Sequence, residues 1–274
     1  MKKYVVGLLL GSAFLTSCTS NSSEIIVSTN AHTNNQLIAS YNEALNTQNF
    51  VNNTQELSYI INNEVESLSN PMVDKNSTLI QDPNDIEVLV NKGYQLPEDY
   101  RPDDLVVPDI RFSFDEYDDK MLMREEAALA IEKLFNDAER EGLYLFGVSG
   151  FRSYQRQKSI YEWNLQTRGE EYTNQYSAKP GHSEHQTGLV MDITCQSVGF
   201  ALTDALGHTP EGQWVAANAY KYGFVISYPE DKTHITGYSY EPWHIRYVGN
   251  ELAEYLTEND MTLDEYYFTN GLTP

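Results

Sequence analysis

Residues 181–194 read GHSEHQTGLVMDIT, and this stretch decides how the compact part of the chain is interpreted. Its second half, Gly188 to Thr194, is an apolar run of strand length and predicts a buried strand. Asp192 lies inside that run, where an unpaired carboxylate is costly and needs a cation or hydrogen-bond donors. His185 stands seven residues earlier, and glycine at 188 lets the chain turn so that both side chains can meet. A metal ion would satisfy both, although a core histidine beside an unrelated acid explains the same pair.

A second cluster, residues 241–247 (EPWHIRY), adds His244 and a nearby carboxylate. Two histidines and one carboxylate form a ligand set typical of catalytic zinc, which keeps a fourth position open for water. The activated water needs a base within hydrogen-bond reach, and Glu241 is the candidate. Residues three apart on a regular strand face opposite sides, so Glu241 and His244 converge only if the chain bends, which Pro242 favours.

A third segment, residues 148–157 (VSGFRSYQRQ), runs from a predicted strand into a predicted helix with Ser153 as its N-cap. Arg152 therefore lies at a strand-to-helix junction, where loops build sites. Its planar guanidinium suits a substrate carboxylate or the oxyanion of a tetrahedral intermediate. The alternative for this segment alone is an arginine in a surface salt bridge.

Together these motifs resemble the VanY-type D-alanyl-D-alanine carboxypeptidases and their L,D-carboxypeptidase relatives. The matching residues are 149–153 (SGFRS), the pattern Ser183-x-His185-x-x-Gly188-x-x-x-Asp192, and 241–244 (EPWH). The resemblance extends over about residues 82–256. It implies an α+β fold with a small, mostly antiparallel sheet flanked by helices, as in the hedgehog-like zinc peptidase superfamily.

The resemblance also implies a role for each motif residue. It makes His185, Asp192 and His244 the ligands of Zn2+. It makes Glu241 the base that takes a proton from the attacking water, and Arg152 the group that stabilises the oxyanion. The implied reaction is hydrolysis at a C-terminal peptide bond.

Two further positions carry substrate roles in the L,D-acting relatives, where they help to hold the terminal D-alanine carboxylate. In this chain they are Ser183 and Gln157. Val190 departs from the family pattern, which usually has alanine there, and we expect it to affect packing more than chemistry.

The remaining histidines and the second cysteine are expected to have structural roles. His182, His208 and His234 have no partner at metal-ligand spacing that improves on the set above. Only His182 is near enough in sequence to line the pocket. Cys195 is expected in the core, since a soft thiolate is not needed where three ligands are already assigned.

The N-terminus indicates export. Two lysines precede an apolar run, residues 5–15, that is too short to span a bilayer, and residues 15–18 read LTSC. This resembles the bacterial lipobox, in which the chain is cut before the cysteine and Cys18 carries a diacylglycerol; an ordinary secretory signal is the alternative. We therefore expect a signal peptide at 1–17, a lipidated, mostly flexible spacer at 18–81 and a zinc carboxypeptidase domain at 82–274. Lipidation would place the protein outside the cytoplasm, on the membrane facing the cell wall.

Composition excludes some alternatives. The formal net charge is −22, so nucleic acid is not an expected partner, because phosphate contacts need clustered Lys and Arg. The chain has 2 cysteines, so lipidation of Cys18 leaves none to pair with Cys195. Nothing indicates an obligate protein partner.

Periodicity predicts alternating helices and strands. Helices are expected over residues 121–141, 153–166, 212–222 and 249–258. Strands are expected over residues 143–148, 188–194, 223–227 and 243–248. Prolines at 83, 97, 102 and 108 predict an extended arm that wraps the domain.

The function that best fits these observations is removal of C-terminal D-alanine from peptidoglycan stem peptides, at a D,D or an L,D bond. The alternatives are a D,D-dipeptidase, an endopeptidase that cuts cross-links, or a non-catalytic lipoprotein that keeps zinc only to stabilise a wall-binding fold. A base beside the ligands argues against the last of these. The sequence leaves open the bond type, the third residue of the stem peptide and the oligomeric state.

Overall fold

The computed structural model describes residues 77–274, together with two short strands, β1 (Tyr4–Val6) and β2 (Ile25–Val27), which pair in parallel. The chain divides into two units, residues 1–64 and residues 65–274. Cys18 and most of the predicted spacer lie outside the described residues, so the boundaries at 17 and 81 stay predictions. Among the residues that are described, no helix combines the length and the apolar character needed to cross a bilayer.

One antiparallel sheet of four strands organises the second unit. Its strands are β7 (Leu145–Ser149), β8 (Val190–Cys195), β9 (Phe224–Ile226) and β10 (His244–Tyr247). Their order across the sheet is β7, β8, β10, β9. Two smaller pairs are β3 (Thr78–Leu79) with β4 (Tyr94–Gln95), and β5 (Leu105–Val106) with β6 (Met123–Arg124).

Helices surround this sheet. The α-helices are α1 (Glu125–Arg140), α2 (Tyr154–Arg168), α3 (Glu170–Tyr176), α4 (Pro210–Asn218), α5 (Thr233–Thr236), α6 (Asn250–Glu258) and α7 (Leu263–Asn270). Short 3-10 helices span Asp119–Met121, Glu184–Thr187, Gln196–Val198, Asp204–His208, Ala219–Tyr222 and Glu230–Lys232. The predicted mixture of helices with a small antiparallel sheet is confirmed.

The predicted elements are all present, with ends displaced by a few residues. The largest change is at the third predicted helix, which begins at Pro210 and tightens into a 3-10 turn from Ala219. Helices α3, α5 and α7 were not predicted. Each is eight residues or shorter, so a helical period has little room to show.

Strand β8 lies inside the sheet and is buried along its whole length. Met191, Ile193 and Cys195 alternate on one face and join the main hydrophobic core. Helix α1 covers that core with seven buried side chains. They are Ala127, Ala128, Ala130, Ile131, Leu134, Phe135 and Ala138. Asp192 therefore points to the opposite face of the sheet, away from α1.

The segment from residue 77 to the start of α1 corresponds to the predicted extended arm, and its regular structure is limited to the two-residue strands β3 to β6 and one 3-10 helix. Four of its buried side chains, Ile80, Val88, Val90 and Leu96, form a small cluster. Two arm carbonyls, of Ile86 and Val88, accept hydrogen bonds from the guanidinium of a sheet residue, Arg246. The arm is thus fastened to the face of the sheet that carries Asp192.

Candidate active site

Strand register brings the predicted metal ligands together. His244 is paired directly with Asp192 across β10 and β8, so both side chains leave the same face of the sheet. His185 arrives from the 3-10 helix Glu184–Thr187. That helix ends at Gly188, whose φ of +70° is a left-handed conformation that favours glycine, and the chain then turns directly into β8.

The three side chains form a compact donor set. The His185 Nε2 atom lies 3.3 Å from Asp192 Oδ2, and His244 Nδ1 lies 3.1 Å from Asp192 Oδ1. One candidate ligand atom from each residue lies within 4.8 Å of the other two, and all three residues are buried. The two imidazole planes are nearly perpendicular, at 83°.

The second nitrogen of each ring is already engaged. His185 Nδ1 hydrogen-bonds the Gly150 carbonyl at 2.8 Å, and His244 Nε2 hydrogen-bonds Glu184 Oε2 at 2.8 Å. Such outer contacts fix which nitrogen of a histidine faces a metal ion. Here they leave His185 Nε2 and His244 Nδ1 directed at Asp192. Two imidazole nitrogens and one carboxylate in a buried site fit Zn2+ with a place left for solvent.

Glu184 is a site residue that the sequence interpretation missed. It is 4% exposed, and besides the bond to His244 it accepts hydrogen bonds from Ser227 Oγ at 2.7 Å and from Arg246 Nη1 at 3.2 Å. Burial alone would raise its pKa, but the bond to His244 and the charge of Arg246 hold the pKa at about 2. The sequence did contain a signal for this carboxylate. Arg246 lies two residues after His244 on a strand, so both side chains share one face of the sheet, and a buried arginine there needs a carboxylate partner.

The electrostatics differ sharply between the two histidines. Burial and the nearby Arg152 cation lower the pKa of His185 to about 3, despite the opposing charge of Asp192. Burial would also lower the pKa of His244, but its hydrogen bonds to Asp192 and Glu184 raise that pKa to about 10. His244 thus stands between two carboxylates that attract positive charge, which a metal ion at Nδ1 would supply in place of a proton, and His185 offers a neutral nitrogen.

Glu241 lies beside the ligand set because the chain bends as expected. The His244 N–H donates to the Glu241 carbonyl, and the Glu241 N–H donates to Tyr228 O, so the chain turns just before β10. Glu241 Oε2 is 4.0 Å from His244 Nδ1. Burial raises the pKa of Glu241 to about 7, outweighing the opposing effect of His244. A carboxylate with that pKa suits proton transfer near neutral pH.

Arg152 is held over the site by two neighbours. Its guanidinium donates to Ser149 Oγ at 3.1 Å and to Gln157 Oε1 at 3.0 Å, and it lies 3.9 Å from Asp192 Oδ2. The Gln157 amide nitrogen in turn donates to the Ala178 carbonyl at 2.6 Å. Both polar atoms of Gln157 are therefore engaged within the protein, and its contact with substrate stays a prediction.

A cavity of about 270 Å³ opens above these residues. All seven residues predicted for metal binding, catalysis or substrate binding line it: Arg152, Gln157, Ser183, His185, Asp192, Glu241 and His244. Aromatic rings of Tyr228, Tyr238 and Trp243 complete much of the wall.

The other polar candidates lie away from the cavity wall. The expectation that His182 could line the pocket is wrong, because its ring turns to the Asn91 carbonyl, 2.7 Å away. Cys195 is buried, as expected, with Sγ 2.9 Å from Ser197 Oγ.

A family model described as D-alanyl-D-alanine carboxypeptidase (VanY) matches residues 120–250. The putative carboxypeptidase YodJ of Bacillus subtilis (strain 168) is 52% identical over 188 residues, which is 69% of this chain and 69% of YodJ. The chain belongs to the VanY carboxypeptidase family.

Solved structures agree with this assignment to the VanY family. The LdcB LD-carboxypeptidase is 49% identical, with a TM-score of 0.69 over 74% of this chain and 95% of LdcB. A mutant of the vancomycin-resistance D,D-pentapeptidase VanY, in complex with Zn(II), is 29% identical, with a TM-score of 0.54 over 68% of this chain and 99% of that one. The predicted family, the hedgehog-like zinc peptidase fold and the class of zinc carboxypeptidase are confirmed.

Proposed function

We propose that this VanY-family protein removes the terminal D-alanine from peptidoglycan tetrapeptides, which is an L,D-carboxypeptidase reaction. The single observation that carries the hydrolytic activity is the buried set of two imidazoles and one carboxylate with Glu241 beside it. The likeness to LdcB, at 49% identity, favours the L,D bond over the D,D bond, since the D,D-pentapeptidase VanY is 29% identical.

His185 Nε2, Asp192 and His244 Nδ1 would hold Zn2+. When bound, zinc supplies Lewis acidity that polarises the scissile carbonyl and lowers the pKa of the attacking water. Glu241 takes one proton from that water while the oxygen of the water bonds to the carbonyl carbon. The C–N bond then breaks, and Glu241 returns the proton to the nitrogen of the departing D-alanine.

Arg152 has the second role in this mechanism. Its guanidinium is fixed by Ser149 and Gln157 and needs no rearrangement to donate to the oxyanion that develops on the carbonyl oxygen. Ser183 lines the same cavity and is the group we assign to the terminal carboxylate of the substrate. Tyr228, whose ring lies against His244 with centroids 4.8 Å apart, helps to keep water away from the ligands.

Mass spectrometry of digested muropeptides tests the proposal. Purified protein with Zn2+ should convert tetrapeptides to tripeptides, with loss of one D-alanine, faster than it trims pentapeptides. The Glu241→Gln variant should bind zinc as wild type does and should release D-alanine far more slowly than wild type. Loss of one D-alanine from pentapeptides alone would indicate a D,D-carboxypeptidase. Loss of a dipeptide would indicate a D,D-dipeptidase, and separation of cross-linked dimers an endopeptidase.

We also propose that the protein is exported, lipidated at Cys18 and anchored to the outer face of the cell membrane. The support is the basic start of the chain, the apolar run at residues 5–15 and the LTSC sequence at 15–18. Mass spectrometry of membrane-extracted protein should find a diacylglycerol on an N-terminal Cys18. Cys18→Ser should appear in the soluble fraction; retention of that variant in the membrane would contradict lipid anchoring.

A further inference from the structure

Helices α2 and α3 form a hairpin with an unusual surface. Helix α2 has 15 residues, yet Gln157 is its single buried residue. The exposed side chains include large aromatic rings at Trp163, Tyr172 and Tyr176, which are 55%, 37% and 46% exposed. Exposed apolar patches of this kind mark interaction sites more often than isolated apolar residues do.

The rings are continuous with the proposed active-site cavity. Ile160 and Asn164 of α2 and Tyr176 of α3 line that cavity. Trp163 is adjacent to Ile160 on the helix surface, because residues three apart are neighbours on a helix. The aromatic surface therefore begins at the rim of the cavity and extends outward from it.

The exposed side chains contact one another and form a strip. The rings of Tyr172 and Tyr176 have centroids 4.7 Å apart, with their planes tilted by 33°. The Arg168 guanidinium lies 4.8 Å from the Tyr172 ring and 5.7 Å from the Trp163 ring, and it donates a hydrogen bond to the Tyr172 hydroxyl. We call Trp163, Arg168, Tyr172 and Tyr176 the aromatic strip.

We propose that the aromatic strip binds the amino-sugar glycan strand that carries the stem peptide. This inference rests on the proposed function, since it requires a peptidoglycan peptide in the cavity. A tetrapeptide is at most about 14 Å long when extended. From Gln157 at the cavity to Trp163 the helix advances about 9 Å. The sugar at the start of the peptide therefore comes within reach of the strip while the far end is in the cavity.

The chemistry of the strip also suits a sugar. The faces of aromatic rings are electron-rich and attract the weakly positive C–H groups on a pyranose face. The ring hydroxyls of the sugar stay in contact with water at an exposed surface and need no buried partner. A second copy of this chain is a less favourable occupant, because each copy carries a net charge of −22 and the two would repel each other.

Kinetics on two matched substrates test this inference. One is the tetrapeptide linked to its disaccharide, and the other is the same tetrapeptide without sugar. We expect the wild-type kcat/KM to be about three- to tenfold higher for the linked substrate, the effect of a stacking contact. Trp163→Ala and Tyr172→Ala should each bring that ratio towards one. Tyr255→Ala is the matched control, because Tyr255 is 44% exposed on α6 and lies outside the cavity wall; it should leave the ratio unchanged.

The outcomes separate this inference from the proposed function. If wild type releases D-alanine from neither substrate, the proposed function fails. If wild type cleaves both substrates equally well, or if Trp163→Ala lowers both values by the same factor, the glycan contact is wrong and the peptidase assignment stands. Sedimentation velocity gives the third outcome. A wild-type dimer that Trp163→Ala converts to a monomer would make the strip a self-association surface and would also overturn the proposal.

Discussion

Two neighbouring regions of this protein are built in opposite ways. The inner site, which we define as His185, Asp192, His244, Glu184 and Arg246, is at most 5% exposed, and every member is hydrogen-bonded or paired. In the α2–α3 hairpin, residues 154–176, only Gln157 and Thr173 are buried. The side chains of the inner site hold one another in place, and the proposed chemistry depends on them. The hairpin instead offers a surface on which substitutions should cost little stability. Substitutions in the two regions should therefore differ in size and in kind.

The largest effect is expected from Glu241, the proposed base beside the inner site. Glu241→Gln keeps the shape of the side chain and removes its ability to accept a proton. We expect kcat to fall by about 10²–10⁴-fold, the usual contribution of a positioned acid or base. The zinc content, measured by elemental analysis, should equal that of wild type. Glu230→Gln is a matched control on an exposed residue of the same region and should leave kcat unchanged.

A Glu241→Gln variant with near-normal turnover would remove Glu241 from the mechanism. A variant that instead lost its zinc would show that Glu241 supports the metal and not the proton transfer.

The next effect tests whether Glu184 holds the inner site together. Glu184→Gln leaves the buried Arg246 cation without a charged partner, and breaking a buried ion pair costs about 3–5 kcal/mol of stability. It also weakens the acceptor that orients His244, so zinc affinity should fall by about 10- to 100-fold. Denaturant unfolding and competition with a chromophoric chelator measure these two changes.

Ser227→Ala is the control for Glu184. It removes one of the hydrogen bonds to the same carboxylate and keeps the ion pair, so it should cost only about 1 kcal/mol. If Glu184→Gln unfolded no more readily than Ser227→Ala and bound zinc equally well, the inner site would not depend on Glu184.

The pH dependence of stability provides a third test, at Asp264 in α7. This side chain is 7% exposed and accepts a hydrogen bond from Asn91 Nδ2 at 2.8 Å. Burial raises its pKa to about 6, from 3.8, although the Asn91 bond acts in the opposite direction. Between about pH 4 and pH 6 the folded state therefore holds more protons than the unfolded state. As the pH rises across that window, the contribution of Asp264 to the free energy of unfolding should therefore fall by about 3 kcal/mol.

Asp264→Asn isolates that contribution, because the amide keeps an oxygen that can accept from Asn91 and carries no charge. Urea unfolding of both proteins at several pH values, with zinc at the same saturation, measures the difference. The variant should lose less stability than wild type from pH 4 to pH 6. Parallel curves for the two proteins would show that Asp264 does not titrate in this window.

The sequence predicted most of the inner site because its residues lie in ordered motifs with distinctive spacing. His185, Asp192 and His244 all line one cavity, as does Glu241. The helix at residues 121–141 was equally readable, since its apolar period matches the seven side chains that α1 buries. Local pattern and tertiary packing agree at these positions, and the prediction of the fold is confirmed.

The rest was harder to predict, for physical reasons that differ by residue. The place of Arg246 on its strand indicates that a carboxylate is needed there, but only the fold shows that Glu184, 62 residues away in sequence, supplies it. Gln157 fits a substrate-binding position by resemblance, yet its amide oxygen and nitrogen both meet protein groups. The aromatic strip gives no periodic signal, because it is shared between two helices and only one residue of each is buried.

The smallest effect is expected in the hairpin itself. Trp163→Ala removes a large ring, yet that ring is 55% exposed and fills no core space, so the free energy of unfolding should change by less than about 0.5 kcal/mol. Leu134→Ala in α1 is the matched comparison: Leu134 is 0% exposed, and its truncation should cost about 2–5 kcal/mol. Thermal or urea unfolding measures both. A Trp163→Ala loss as large as that of Leu134→Ala would mean that the ring supports the fold, and the hairpin would then no longer contrast with the buried part of the protein.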